Sequence, residues 1–250
     1  MKYNTIIFDL GFTLLTFKNF TLKRYFKTLD QGLDQLIQFL VDKKIIFDPT
    51  IFKKTFKKFR IRNFQRALTS YKESTTMDTL SQTFESLNLQ KLSPKVAHQA
   101  IMLYHSTEGA FWKIRSSAKP VLQELRAKNF KIGLLSNAPY HSGIKFLMDS
   151  NNLTQYFDVI ATSAQIGFCK PDKRTFEYVL NKIQSKPAHS IMVGDDLKND
   201  IYGAQQIGMK AIYIKKNFEI TPTEGLNTSP DKAITDLMEI IPIINEWNNS

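Results

Sequence analysis

Asn4-Thr5-Ile6-Ile7-Phe8-Asp9-Leu10-Gly11-Phe12-Thr13-Leu14-Leu15 sets a short apolar run directly before a carboxylate, a glycine and a hydroxyl. The run Ile6-Ile7-Phe8 is too short for a helix and reads as a buried strand of a parallel sheet. Ligands of open α/β sheets bind outside the carboxyl ends of the strands, so a strand ending at Phe8 would deliver Asp9 to that edge. Taken alone, Asp9 could equally be the cap of a turn that follows a core strand.

Three later stretches decide between these readings. Ile132-Gly133-Leu134-Leu135-Ser136-Asn137 is a second apolar run, ending in a hydroxyl. Ala164-Gln165-Ile166-Gly167-Phe168-Cys169-Lys170-Pro171 presents a lysine before a proline that reads as a helix start. Ser190-Ile191-Met192-Val193-Gly194-Asp195-Asp196 is a third strand-like run ending in carboxylates, with Asp200 close behind. The ordered set Asp, Ser, Lys and paired Asp, mostly at strand ends, resembles the four signature motifs of the haloacid dehalogenase-like (HAD) hydrolase superfamily.

A chain of 250 residues suits one large domain, or a core with a smaller appendage. The single cysteine, Cys169, excludes an internal disulfide framework and a cysteine-rich zinc site, in keeping with a reducing cytoplasm. No signal peptide is expected, because Asp9 interrupts the N-terminal apolar run, and no stretch approaches the roughly 18 apolar residues that span a bilayer. The formal charge of +11 is compatible with nucleic acid, an anionic membrane surface or an anionic substrate.

Between the first and second motifs, residues 17–116 carry helical periodicity and no convincing strand. Leu29, Leu33, Leu36, Ile37 and Leu40 recur at three-to-four spacing. Asp48-Pro49 and Ser93-Pro94 read as N-cap and first-turn pairs that open two more helices. From about Ala118 helix and strand alternate, which argues for a doubly wound parallel sheet. A terminal helix is expected over 231–245 and a polar loop over 221–230.

The resemblance implies a fold: a Rossmann-like α/β core over 1–15 and 117–250, with an all-helical C1 cap over 16–116 inserted after the first strand. It also implies roles. Asp9 would be the nucleophile, Lys170 the cation between nucleophile and phosphate, and Thr13, Ser136 and Asn137 substrate contacts. Mg²⁺ would be held by Asp9, the backbone carbonyl of Gly11 and Asp195. Asp200 would orient Lys170 or the waters of the metal, with Asp196 able to take that part instead. Each residue also has a bland reading, as a turn pair, a solvated lysine or a helix cap.

Gly11 departs from the resemblance. Most HAD phosphatases carry there a second Asp that protonates the leaving group and later deprotonates water, and general acid–base catalysis is worth about 10²–10⁴-fold. Phe12 further narrows the space near Asp9. The implied activity is a cytoplasmic, Mg²⁺-dependent phosphatase of a small phosphorylated metabolite, working through an aspartyl-phosphate. The alternative is a catalytically impaired member that binds a phosphorylated ligand or a protein partner. The acid-free run Lys53, Lys54, Lys57, Lys58, Arg60, Arg62 and Arg66 is interleaved with Phe52, Phe56, Phe59 and Phe64. It reads as a helix with a packed aromatic face and a solvated basic face. Neither a membrane nor nucleic acid is expected as a partner.

Overall fold

The computed structural model describes residues 1–218, 221 and 225–250. In chain order it begins with strand β1 (Thr5–Phe8) and strand β2 (Leu15–Phe17). Four helices follow: α1 (Leu22–Asp42), α2 (Pro49–Ser70), α3 (Thr76–Ser86) and α4 (Pro94–Gly109). Next come β3 (Trp112–Ile114), α5 (Ala118–Ala127), β4 (Lys131–Ser136), α6 (His141–Ser150), β5 (Val159–Thr162) and α7 (Ser163–Ile166). The chain ends with α8 (Lys173–Ile183), β6 (Ser190–Gly194), α9 (Gly203–Gln205), β7 (Lys210–Ile214), β8 (Lys232–Ile234) and α10 (Ile240–Asn249).

Six strands form one parallel sheet in the order β5-β4-β1-β6-β7-β8. The expected Rossmann-like α/β architecture is therefore present. β1 is central and covered on both faces, which is why its sequence is apolar without alternation. Ile6 and Phe8 pack on one face with Ile132, Leu134, Ile191 and Val193, under α5 and α10. Ile7 packs on the other with Leu135, Met192 and Val179, under α8. The register pairs Phe8 with both Leu134 and Val193, so the residues after β1, β4 and β6 emerge together at the carboxyl edge.

Helices α1–α4 bury a core of their own, built from Leu33, Leu36, Leu40, Phe52, Phe56, Phe84 and Ile101 among others. Asp48 accepts hydrogen bonds from the amides of Thr50 and Ile51 with Pro49 in the first turn, and Ser93 accepts from Val96, as the two cap pairs imply. α2 buries Phe52, Phe56 and Asn63 on one stripe. Phe64, expected to pack with them, is 57% exposed, because the next position along a helix is rotated by about 100°. The basic face is not simply solvated either: Lys53 pairs with Asp34, and Lys57 and Arg60 with Asp30, all from α1.

Three local expectations need correction. The segment taken as strandless contains β3, which pairs antiparallel with β2 as a ribbon leading into and out of the helices. Residues 232–234 form edge strand β8 rather than the start of the last helix, which begins at Ile240. Pro171 does not start α8; Asp172 caps it through the amide of Arg174. The polar loop of 221–230 lies in part outside the described residues. A second connection joins the helices to the sheet, since Tyr71 O accepts from Cys169 N at 2.7 Å and Gly167 O from Glu73 N at 3.0 Å.

Candidate active site

Asp9 follows β1 and donates its amide to Val193 O at 2.9 Å, which fixes its backbone in line with the start of the β6 turn. Its side chain is 11% exposed. Lys170, 3% exposed, enters from the loop before α8. Its ammonium donates to Asp9 Oδ1 at 2.8 Å, Leu135 O at 2.8 Å and Asp200 Oδ1 at 2.6 Å. These three acceptors match the three N–H donors of a lysine. Asn137 Oδ1 accepts from the Lys170 amide at 2.7 Å, and its Nδ2 donates to Lys170 O at 3.0 Å. The Asn137 side chain therefore clamps the lysine backbone rather than facing a ligand.

Asp200, 1% exposed, also accepts the Asp196 amide on Oδ2 at 3.1 Å. Its side chain lies under β6 because Gly194 has none: a Cβ there would be 2.2 Å from Asp200 Oδ2. Asp196 turns away from the cluster. It accepts the amides of Lys198 and Asn199, the Asn199 side chain and the Thr221 hydroxyl. Of the two carboxylates weighed for orienting Lys170, only Asp200 touches it.

Asp195 begins the loop after β6 and is 5% exposed. Thr13, expected on the substrate, is fully buried and donates its hydroxyl to Asp195 Oδ1 at 3.2 Å. Lys216 donates to Asp195 Oδ2 at 2.5 Å. Ser136 ends β4 at the same edge, is 7% exposed, and its hydroxyl makes no hydrogen bond among the described residues.

Asp9, Asp195 and Asp200 bring carboxylate oxygens within 4.8 Å of one another. An all-oxygen, buried, anionic donor set fits a hard divalent cation such as Mg²⁺. Burial pushes Asp9 and Asp195 up to about 6; Lys170 opposes the shift at Asp9 and Lys216 at Asp195, while a neighbouring carboxylate adds to each. Burial pushes Asp200 up to about 7 against the pull of Lys170. Burial would depress Lys170, but Asp200 and Asp9 hold it above the ordinary lysine range and therefore protonated. Asp200 has partners on both oxygens, Lys170 and the Asp196 amide, and so does Asp195, with Thr13 and Lys216, whereas one oxygen of Asp9 is engaged by Lys170.

Gly11 lies beneath an aromatic group. The Trp112 ring edge stands 3.2 Å from where a Gly11 Cβ would be. Phe12 packs edge-on against Phe20, Trp112 and Phe218, with ring centroids 4.7, 5.1 and 4.9 Å away. Its φ of 58° is strained for a bulky residue. The aromatic packing and Arg115, whose Nη2 donates to Phe12 O at 2.7 Å, hold that conformation.

Trp112, Arg115 and Lys216 were not legible as site residues. Nothing distinguishes Lys216 from Lys215 in sequence, although its place just beyond the apolar run 211–214 is a strand-end signal like the others. The basic residues Lys53, Lys54, Lys57 and Lys58 line a groove between α1 and α2 that shares no residue with this cluster.

Comparisons with known proteins bear on the family and the fold. Residues 40–214 match the family of haloacid dehalogenase-like hydrolases. The glyceraldehyde 3-phosphate phosphatase of Methanothermobacter thermautotrophicus is 30% identical over 155 residues, which cover 59% of this chain and 67% of that one. The match to its namesake in Pyrococcus furiosus covers 65% of that protein, so the aligned stretch spans about two thirds of these archaeal relatives. Pyrophosphatase PpaX of Bacillus anthracis is 22% identical over the full length of both chains. Among solved structures, a 2-haloacid dehalogenase from Pseudomonas syringae aligns with a TM-score of 0.71 at 20% identity, over 98% of this chain and 99% of that one. A HAD phosphatase from Thermococcus onnurineus aligns at 0.60 and 22%, over 96% and 97%. Both share the fold, and the sheet, the edge cluster and the family match together establish that this chain belongs to the haloacid dehalogenase-like hydrolases.

Proposed function

We propose that this chain is a Mg²⁺-dependent phosphatase of small phosphorylated metabolites, restricted to substrates whose leaving group departs without protonation. The observation that carries the reading is the buried Asp9–Lys170–Asp200 chain beside Asp195, with Ser136 at the same edge. Phosphoryl transfer requires a positioned nucleophile and cations around the equatorial oxygens. Asp9 Oδ2 would attack phosphorus, breaking the bond to the leaving oxygen and forming an aspartyl-phosphate that water then hydrolyses. Lys170 would balance the negative charge of the phosphoryl group, and Asp200 would keep its ammonium aimed at Asp9. The Ser136 hydroxyl would donate to a phosphoryl oxygen. Asp9, the Gly11 carbonyl and Asp195 would hold Mg²⁺, which when bound supplies Lewis-acid charge stabilisation. Asn137 and Thr13 would position Lys170 and Asp195 rather than meet substrate.

Gly11 has no side chain with which to protonate the leaving oxygen, and a Cβ there would stand 3.2 Å from the Trp112 ring edge. Phenyl phosphates and acyl phosphates release a phenolate or a carboxylate, stabilised anions that depart without an acid. The test is Mg²⁺-dependent hydrolysis of an aryl phosphate beside an alkyl sugar phosphate. Aryl turnover that disappears in Asp9→Asn supports the reading. Absence of turnover on both substrates, with and without Mg²⁺, favours the second reading, which the crowding of Gly11 by Trp112 also suggests: a member that binds a phosphorylated ligand without cleaving it.

A further inference from the structure

Lys170 already accompanies Asp9 and Asp200, yet the site contains a second buried ammonium. Lys216 comes from two residues beyond β7, at the same edge of the sheet, and reaches Asp195 Oδ2 at 2.5 Å. The two side chains are 4% and 7% exposed, so the pair is largely withdrawn from solvent. The ammonium also lies 6.0 Å from the ring centroid of Phe12 and 5.5 Å from that of Phe218, within range of attraction to both rings. Asp195 Oδ1 meanwhile accepts the Thr13 hydroxyl. Both oxygens of Asp195 are thus engaged by the protein itself.

We propose that Lys216 is a resident cation that holds Asp195 when no divalent ion does, and that an ion must displace it to bind. This rests on the reading of Asp195 as a metal ligand. Mg²⁺ takes its oxygen ligands at about 2.0–2.1 Å. Whichever oxygen of Asp195 it used, an ammonium 2.5 Å from the other would remain within a few ångströms of it, in a site with little water to screen like charges. Asp9 keeps an oxygen clear of Lys170, but Asp195 has Thr13 on one oxygen and Lys216 on the other, so an ion and this ammonium compete for the same carboxylate. Lys216 makes the metal-free site tolerable by balancing a buried carboxylate, and it weakens metal binding in return. The same lysine sits against Phe12 and Phe218, so its departure also removes a contact from the aromatic group over Gly11.

The test measures Mn²⁺ binding to the full chain by electron paramagnetic resonance of the free ion, a readout independent of turnover. Lys216→Met and Lys216→Gln are compared with Lys215→Met, which removes the same charge from the exposed neighbouring position. Coupling between two sites is typically worth 5–150-fold, so both Lys216 variants should bind Mn²⁺ roughly tenfold tighter, and Lys215→Met far less so. Their metal-free melting temperatures should fall and be recovered by Mn²⁺. Lys216→Arg, which keeps the charge, should fold and show no tightening. Unchanged or weaker binding in the Lys216 variants, or equal tightening in Lys215→Met, would overturn the competition and leave the phosphatase reading standing. Mn²⁺ binding that is absent, or untouched by Asp195→Asn, would remove Asp195 as a ligand and this proposal with it.

Discussion

Trp112 fills the space above Gly11, with its ring edge 3.2 Å from the position of an added Cβ. A side chain at position 11 therefore requires Trp112 to give by a few tenths of an ångström. Gly11→Asp should press on Trp112 and destabilise the protein by about 1–3 kcal/mol, as overpacking does. It should give little alkyl phosphatase activity by itself. The pair Gly11→Asp with Trp112→Ala should hydrolyse an alkyl phosphate up to about 10²-fold faster than Gly11→Asp alone. Steady-state rates and urea denaturation of the single and double variants check both statements.

Lys170 is the shared partner of two nearly buried carboxylates. Removing one partner of a buried ion pair commonly costs about 3–5 kcal/mol, because the remaining charge has no counter-ion. Lys170→Met should lose stability on that scale at pH 8, read from the urea midpoint. The loss should shrink at pH 5, where Asp9 and Asp200, raised to about 6 and about 7, take up protons in the folded state. A loss independent of pH would mean that packing, not charge, dominates at this position.

Asp9 illustrates the cost of the site in the metal-free protein. Its folded-state value of about 6 lies above the ordinary carboxylate value of 3.8. A group raised in this way contributes stability that is complete below the unfolded value and is lost as pH rises through the folded one. Asp9→Asn, which cannot ionise, should therefore raise the metal-free melting temperature at pH 8 by several degrees, equivalent to about 1–3 kcal/mol, and change it little at pH 4. Thermal unfolding in the presence of a chelator at the two pH values reads the difference directly.

Cys169 is buried immediately before Lys170, and its thiol is pushed far above the ordinary range, first by burial and then by Glu73. Reactivity follows the thiolate. In the folded chain Cys169 should resist iodoacetamide at pH 8, and it should react once urea unfolds the protein. Peptide mass spectrometry of alkylated samples makes the comparison.

The legible parts of the chain were those in which local chemistry and tertiary placement agree. Ile6-Ile7-Phe8 and Ile191-Met192-Val193 read as strands because both faces are covered, and Asp48-Pro49 and Ser93-Pro94 read as helix starts because the cap and the proline act within one turn. β2, β3 and β8 were hidden because each has three residues, and its strand character comes from a partner distant in sequence. Asp9, Lys170, Asp195 and Asp200 were legible as a set, and they do converge. The inward direction of Thr13 and Asn137 was not, since a hydroxyl or amide beside a strand end can turn toward a ligand or toward its own neighbours. Lys216 stands just past a strand end but could not be told from Lys215, because one lysine beside another differs only in which way the edge of the sheet turns it.

In the proposed reaction Asp9 carries a phosphoryl group during turnover. The direct measurement is to quench the protein with acid while it is hydrolysing an aryl phosphate in the presence of Mg²⁺, and to map the added mass by peptide mass spectrometry. One phosphoryl group on the peptide containing Asp9, absent from Asp9→Asn, is the predicted result. Turnover without a phosphorylated Asp9 peptide, or turnover that survives Asp9→Asn, would contradict it.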